Sequence, residues 1–182
     1  MNNTAPGFLI AMPTLRDPNF ADSVVLMLEH TKEGAVGVVI NRAFPGDRDV
    51  VCRGLGIEWP DRTRGDIRFG GPVRTQAGCI VHPPSVMFSD SQLITPGIAV
   101  STSREALDGM LGHGSCPFRL MLGYAGWGPG QLEKELIDGS WILVPTSDRA
   151  IFETPLEAIY DRALGSLGIR RHDLAFAPTA VH

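Results

Sequence analysis

Lysine is nearly missing from this 182-residue chain. Only Lys32 and Lys134 occur, and neither stands in a G-x-x-x-x-G-K-[ST] pattern, so a P-loop is excluded. Cysteine is scarce as well. Cys52, Cys79 and Cys116 are odd in number, far apart and without a Cys-x-x-Cys pair, which predicts free thiols in a reducing compartment. Metal-ligand spacing is lacking: His113 and Cys116 share a Gly-rich loop but make two ligands, and His30, His82, His172 and His182 have no paired spacing. No metal and no cofactor are therefore expected. Long apolar runs are missing too. The opening MNNTAPGFLIAMP has no positive start and its apolar run stops at Met12-Pro13, so neither a secretory signal nor a membrane span is expected, and the location read from this is cytoplasmic. Positive charge is also short. The net charge is −4 and the pI about 5.7, unfavourable for a protein that must neutralise many phosphates. Seven arginines do lie between Arg42 and Arg74, but Asp47, Asp49, Glu58, Asp61 and Asp66 interleave with them, so the region reads as a solvated loop of mixed charge.

What is present is an ordinary globular composition, 43% hydrophobic and 20% charged. One domain over 1–182 is the expectation, long enough to bury roughly 70% of the unfolded chain's surface without metals or disulfides. Gly7 to Met12 reads as a short buried strand. Ser23 to Glu29 and Ala35 to Ile40 read as an antiparallel hairpin turned at Lys32-Glu33-Gly34, with Gly37 marking a bulge or a close backbone approach. Val50 to Leu55 reads as a short helix, Ile67 to Phe69 as a lead into the Gly70-Gly71-Pro72 turn, and Gly78 to His82 as a strand. Gln92 to Thr95 and Ile98 to Ser101 flank Pro96-Gly97, the pair suited to a type II turn. Thr102 with Glu105 reads as a capping box for a helix closed by Gly112. Trp141 to Val144 and Ala150 to Phe152 read as strands. Thr154, Pro155 and Glu157 open a last helix whose inner stripe is Leu156, Ile159, Tyr160, Ala163 and Leu167, stopped by Gly168. Strands interleaved with helices, in hairpins rather than regular βαβ repeats, imply a mixed α/β sheet.

The densest stretch is Leu122 to Glu135, LGYAGWGPGQLEKE. It reads as the end of a strand from Arg119 to Tyr124, a turn at Gly126-Trp127-Gly128, and a helix with Gly128 at N-cap, Pro129 at N1 and Gln131 at N3. Leu132, Leu136 and Ile137 fall on one face of that helix, and Gly139 closes it. The glycines either let backbone turn tightly under Trp127 or let it approach a ligand, and in the second case Gly126 or Gly128 should adopt positive φ. Asn41-Arg42 and Gly70-Gly71 also sit at strand ends. The candidate binding set is therefore Asn41, Arg42, Gly70, Gly71, Tyr124, Gly126, Trp127 and Gly128.

Catalytic patterns are thin. Gly126-x-Gly128-x-Gly130 lacks the dinucleotide spacing, and Pro129 removes an N–H that a pyrophosphate would need. No G-x-S-x-G elbow occurs, and Gly112 to Cys116 reads as a helix terminator and turn. Glu29-His30 would point to opposite faces of a strand, and His172-Asp173 is the other acid/base candidate.

Several blocks together resemble the AlgH/YqgE family of bacterial proteins: GFLIAMPTLRDPNFADSVVLMLEH, GAVGVVINR, FGGPV, STSRE and LGYAGWGPGQLEKE, in that order from about Gly7 to Leu174. The resemblance implies a bifurcated, largely antiparallel sheet forming a pseudo-barrel flanked by helices. It also implies a cytoplasmic regulatory or binding protein, under a family label of transcriptional regulator, and it carries no catalytic residue onto this chain. Phe44 to Arg64 departs from the family pattern, and the tail from Ala175 to His182 lacks its usual Gly-His-Ala close. Three functions follow as expectations: a non-enzymatic module acting through a protein or small-molecule partner, an enzyme with a pocket lined by the Gly-rich turns, and direct DNA binding, which the acidic pI opposes.

Overall fold

The computed structural model describes residues 4–175, and the atypical tail beyond Ala175 lies outside them. The chain opens with β1 (Gly7–Ala11), β2 (Val24–Thr31) and β3 (Gly34–Val39), followed by helix α1 (Arg48–Leu55). Strands β4 (Gly65–Phe69), β5 (Val73–His82), β6 (Gln92–Thr95) and β7 (Ile98–Ser101) lead to helix α2 (Arg104–His113). Then come β8 (Phe118–Trp127), α3 (Gln131–Ile137), β9 (Trp141–Val144), α4 (Asp148–Phe152), a 3-10 turn Leu156–Ala158, α5 (Ile159–Gly165) and α6 (Arg171–Ala175). The strands form one curled sheet in the order β6-β7-β5-β8-β3-β2-β1-β9, with β4 paired in parallel to β8 and all other pairs antiparallel. This is a mixed α+β fold with a half-barrel sheet and short helices.

The near-continuous apolar runs follow from burial on both faces. Side chains alternate along a strand, so Phe8, Ile10, Val24, Leu26 and Val38 enter the core inside the curl, while Leu9, Ala11, Val25, Met27 and Val39 enter a second core outside it. Helices α4 and α5 close the inside through Ile151, Phe152, Ile159, Tyr160 and Leu164. Leu132 of α3 covers the outside. A third core lies where α2 packs Ala106, Met110 and Leu111 against Ile80, Leu120 and Leu122.

The fork lies in β8. Its first half, Phe118 to Leu122, runs between β4 and β5, and its second half pairs with β3 through Gly37↔Ala125, Val36↔Gly126 and Ala35↔Trp127. The sheet is thus bifurcated, as the family resemblance implied. Gly37 stands opposite the register shift at Met27/Glu29, and a Cβ there would press on Val25 and the Leu26 carbonyl, the close approach its position predicted.

Several local readings are corrected. Gly126 and Trp127 are strand, not turn, because β3 continues to pair with them. Helix α3 starts at Gln131 with Gly130 at N-cap, although the Gln131 side chain does reach back to the Gly128 N–H at 3.0 Å. Ile137 is 85% exposed instead of sharing the face of Leu132. Ala150 to Phe152 is helix, because the Ser147 hydroxyl caps the Ala150 N–H. Ser103, not Thr102, caps α2, and Thr102 is held instead by Asp90; the helix runs one residue past Gly112. Thr154 bonds back to the Arg149 carbonyl, so the last helix begins as a 3-10 turn after Pro155, with Leu164 taking the buried place expected of Leu167. The β6–β7 hairpin stands, but Gly97 is not among the glycines of positive φ, so its turn is not type II.

Candidate functional site

The glycine density of the organising stretch has a local cause. Where β8 leaves β4 and meets β3, the Gly70-Gly71 backbone crosses directly over Gly123-Tyr124. A Cβ on Gly70 would overlap the Gly123 carbonyl, one on Gly71 the Tyr124 carbonyl, and one on Gly123 the Gly71 carbonyl. The Gly70 N–H donates to Leu122 at 2.7 Å, and its carbonyl accepts from the Val39 N–H at 2.8 Å. Positive φ falls on Gly71, Gly123 and Gly130, not on Gly126 or Gly128 as expected.

Of the predicted site residues, Gly70 and Gly71 converge on Tyr124, but Asn41 and Arg42 serve another joint. The Asn41 amide ties the Val24 N–H at 2.7 Å and the Asp22 carbonyl at 2.8 Å, and the Arg42 guanidinium ties the Pro18 and Ala21 carbonyls. Tyr124 and Trp127 take opposite faces of β8, Tyr124 packing toward the inside core and Trp127 toward the outside. Trp127 is buried there beside Phe20 and Trp141, with Trp141 edge-on at 5.9 Å between ring centroids. Glu135 Oε2 accepts from both indoles, from Trp127 at 2.9 Å and Trp141 at 2.8 Å, while Gln131 holds its other oxygen. This aromatic cage with a carboxylate at its edge locks α3 to the sheet.

The crossing also launches an arm. Val73 pairs with Tyr124 and the next paired residue on β5 is Gly78 with Leu122, so four residues, 74–77, bulge out of the ladder. All of Val73 to Ala77 are exposed, and Arg74 sits at φ +48, a conformation rare for a residue with a side chain. Between this arm and α1 runs a groove of about 400 Å³, floored by Phe44, Val51 and Leu122 and walled by Leu55, Thr75 and Gln76. Sequence reasoning passed over Val73 to Ala77; the only local signal was the Gly-Gly-Pro that precedes it.

Two buried polar clusters complete the inventory. Arg68 and Arg119 are both buried and share the half-exposed Asp66, at 3.0 and 3.4 Å. Arg119 further donates to the Ile151 and Phe152 carbonyls, fastening α4, and burial brings its pKa down to about 10 against the opposing pull of Asp66. His82 is fully buried. Its Nδ1 lies 3.1 Å from the Pro83 carbonyl and must donate there, so Nε2 accepts from Ser101 Oγ at 2.9 Å, and Ser101 in turn accepts from Ser91 at 2.7 Å. Ser91 also takes the Phe88 N–H. Every proton of the chain is committed, and burial lowers the imidazole pKa, so the group is a neutral structural tie.

Glu29 is exposed and His30 is turned the other way, onto Thr4 and Glu133, while His172-Asp173 is a surface pair. Among the described residues no group of three or more His, Cys, Asp or Glu could hold a metal, and no helix is long and apolar enough to cross a membrane. The three thiols are free, and burial pushes Cys79 up to about 12.

Comparison with known proteins agrees with this architecture. A UPF0301 protein of Myxococcus xanthus is 40% identical over 171 residues, 93% of each chain, and one of Methylococcus capsulatus is 39% identical over 166 residues, 89% of this chain and 88% of the relative. The solution structure of the AlgH protein from Pseudomonas aeruginosa superposes with a TM-score of 0.77 at 35% identity, over 100% of this chain and 96% of that one. A Corynebacterium diphtheriae protein shares the fold, with a TM-score of 0.72 at 20% identity over 89% and 86% of the two chains. With residues 8–172 matching the AlgH-like family (DUF179) as well, the chain belongs to that family.

Proposed function

We propose that this chain is a cytoplasmic, non-enzymatic regulatory or binding module that engages a partner protein along the arm of β5 and the groove beside α1. The observation that carries the reading is the arm itself: a run of exposed residues, one in a costly backbone conformation, projected from the glycine crossing. Gly70, Gly71 and Tyr124 anchor its base, Gly126 and Trp127 continue the strand behind it by pairing with β3, and Asn41 and Arg42 hold the separate loop before β2. Leu55 of α1, 36% exposed, presents an apolar side chain to the groove, as an interaction surface requires. A small molecule in the groove is the other form the partner could take. The enzymatic reading needs a pocket lined by the Gly-rich turns, but Gly70, Gly71 and Gly123 are packed against backbone, and the buried His82 has its protons committed. Direct nucleic-acid binding is opposed by the net charge of −4 and by arginines tied to carboxylates and carbonyls.

The test places a photo-crosslinking residue at Thr75 in cells, with Asp138 at the end of α3 as control. A discrete adduct from Thr75 that disappears in Leu55→Asp, with the melting temperature kept, supports the reading. Equal adducts from both positions, or none from Thr75, overturn it.

A further inference from the structure

Away from that groove, where α4 and α5 meet the β1–β9 edge of the sheet, lies a second cavity of about 360 Å³, within the range of small-molecule pockets. Its floor is apolar and built from the neighbouring strands and the two closing helices: Phe8 and Val144, which face each other in the β1–β9 register, with Ala150 of α4 and Ala163 of α5. The rim differs in character. Arg149, Arg162, Ser147 and Ser166 line it, and no Asp or Glu does.

The donors on that rim are only partly used. Arg149 gives its Nε to Glu153 at 3.1 Å and Arg162 gives one Nη to the Thr154 hydroxyl at 3.0 Å; among the described residues their remaining N–H groups have no partner. Ser147 Oγ accepts from the Ala150 N–H and keeps its own proton to donate. Two guanidinium charges stand against the single carboxylate of Glu153, in a chain whose net charge is −4. An apolar floor rimmed by two cationic side chains is the lining that a ligand with an anionic head and a hydrocarbon body requires.

We propose that this cavity binds a small amphipathic oxyanion, a carboxylate or phosphate carried on an apolar body, with the head between Arg149 and Arg162 and the body over Phe8, Val144 and Ala163. The site is independent of the partner groove, since none of its lining residues belongs to α1 or β5.

The experiment titrates the full chain with octanoate and with octyl phosphate, following backbone amide shifts by NMR, with octanol and inorganic phosphate as controls. Saturable shifts confined to β1, β9, α4 and α5 are expected for the two amphiphiles, and whichever binds tighter names the head group. Each control should bind about tenfold or more weaker, the contribution of one charge-assisted hydrogen bond or its apolar counterpart. Arg149→Gln changes a largely exposed side chain and should keep the fold while weakening binding by about tenfold. Ser166→Trp should block the cavity from its rim. No saturable binding of either amphiphile, octanol binding as tightly as octanoate, or undiminished binding by Arg149→Gln would each overturn the proposal.

Discussion

Gly71 has no room for a side chain because the carbonyl of Tyr124 occupies the place a Cβ would take, and its φ of +150° is one that residues with a Cβ rarely adopt. Gly71→Ala should therefore cost at least about 3 kcal/mol, since neither backbone can yield without breaking the β5–β8 register. Gly130→Ala is the control. It has positive φ as well but open space around it, and should cost only about 1 kcal/mol. Urea denaturation of both variants measures the difference, and equal losses would mean that the crossing is not tight.

The shared carboxylate of Glu135 gives a second prediction. Glu135→Ala leaves the indole N–H groups of Trp127 and Trp141 without their acceptor, both being under a tenth exposed, and should cost about 2 to 4 kcal/mol. Trp127→Phe keeps most of the packing and removes one donor, for about 1 to 2 kcal/mol. Combined, the two changes should fall short of their sum by about 1 kcal/mol, the coupling of a direct bond. Strict additivity in chemical denaturation would show that the contact contributes nothing.

These two regions also show how far the sequence could be read. The β2–β3 hairpin, β9 and the β6–β7 pair were legible because β-branched runs and turn residues act locally. The β3–β8 pairing was not, because Gly126-Trp127-Gly128 looks like a turn until β3, distant in sequence, is known to pair with Gly126 and Trp127. Ala150 to Phe152 is too short to show a period, and only the Ser147 cap separates a buried helix from a buried strand. Of the candidate site, the Gly70-Gly71 approach to Tyr124 was readable from strand-end glycines. The arm was not, since Val73 to Ala77 carries no motif and its significance is a φ angle and a neighbour in α1.

Buried His82 makes stability depend on pH. Its folded pKa lies below the ordinary value of 6.5, so as pH falls below about 6.5 the unfolded chain takes up the proton first and stability declines until the folded value is passed. Asp90 acts in a lower window. Hydrogen bonds from Ser103 and Thr102 hold its carboxyl at about 2, so its contribution is present above 3.8 and disappears as pH falls through about 2. Melting temperatures of wild type and His82→Gln should converge as pH drops from about 7 to 5, whereas Asp90→Asn should lie below wild type by a constant gap above about pH 4, a gap that closes as pH falls toward about 2. A constant gap between wild type and His82→Gln would refute the assignment.

Arg74 offers the sharpest separation of stability from function. At φ +48 its side chain costs about 1 kcal/mol that glycine avoids, so Arg74→Gly should stabilise the chain by up to about that amount. Asp22→Gly, at φ +56 but at the β1–β2 loop, should gain less, because aspartate tolerates this conformation better than arginine. A fold optimised for stability alone has no use for arginine at this position. If the arm is the partner surface, Arg74→Gly raises the unfolding midpoint while weakening the Thr75 crosslink, whereas Asp22→Gly leaves the crosslink unchanged. A crosslink that survives Arg74→Gly at full yield would show that the guanidinium plays no part in capture and would leave the strained arginine without a role in binding.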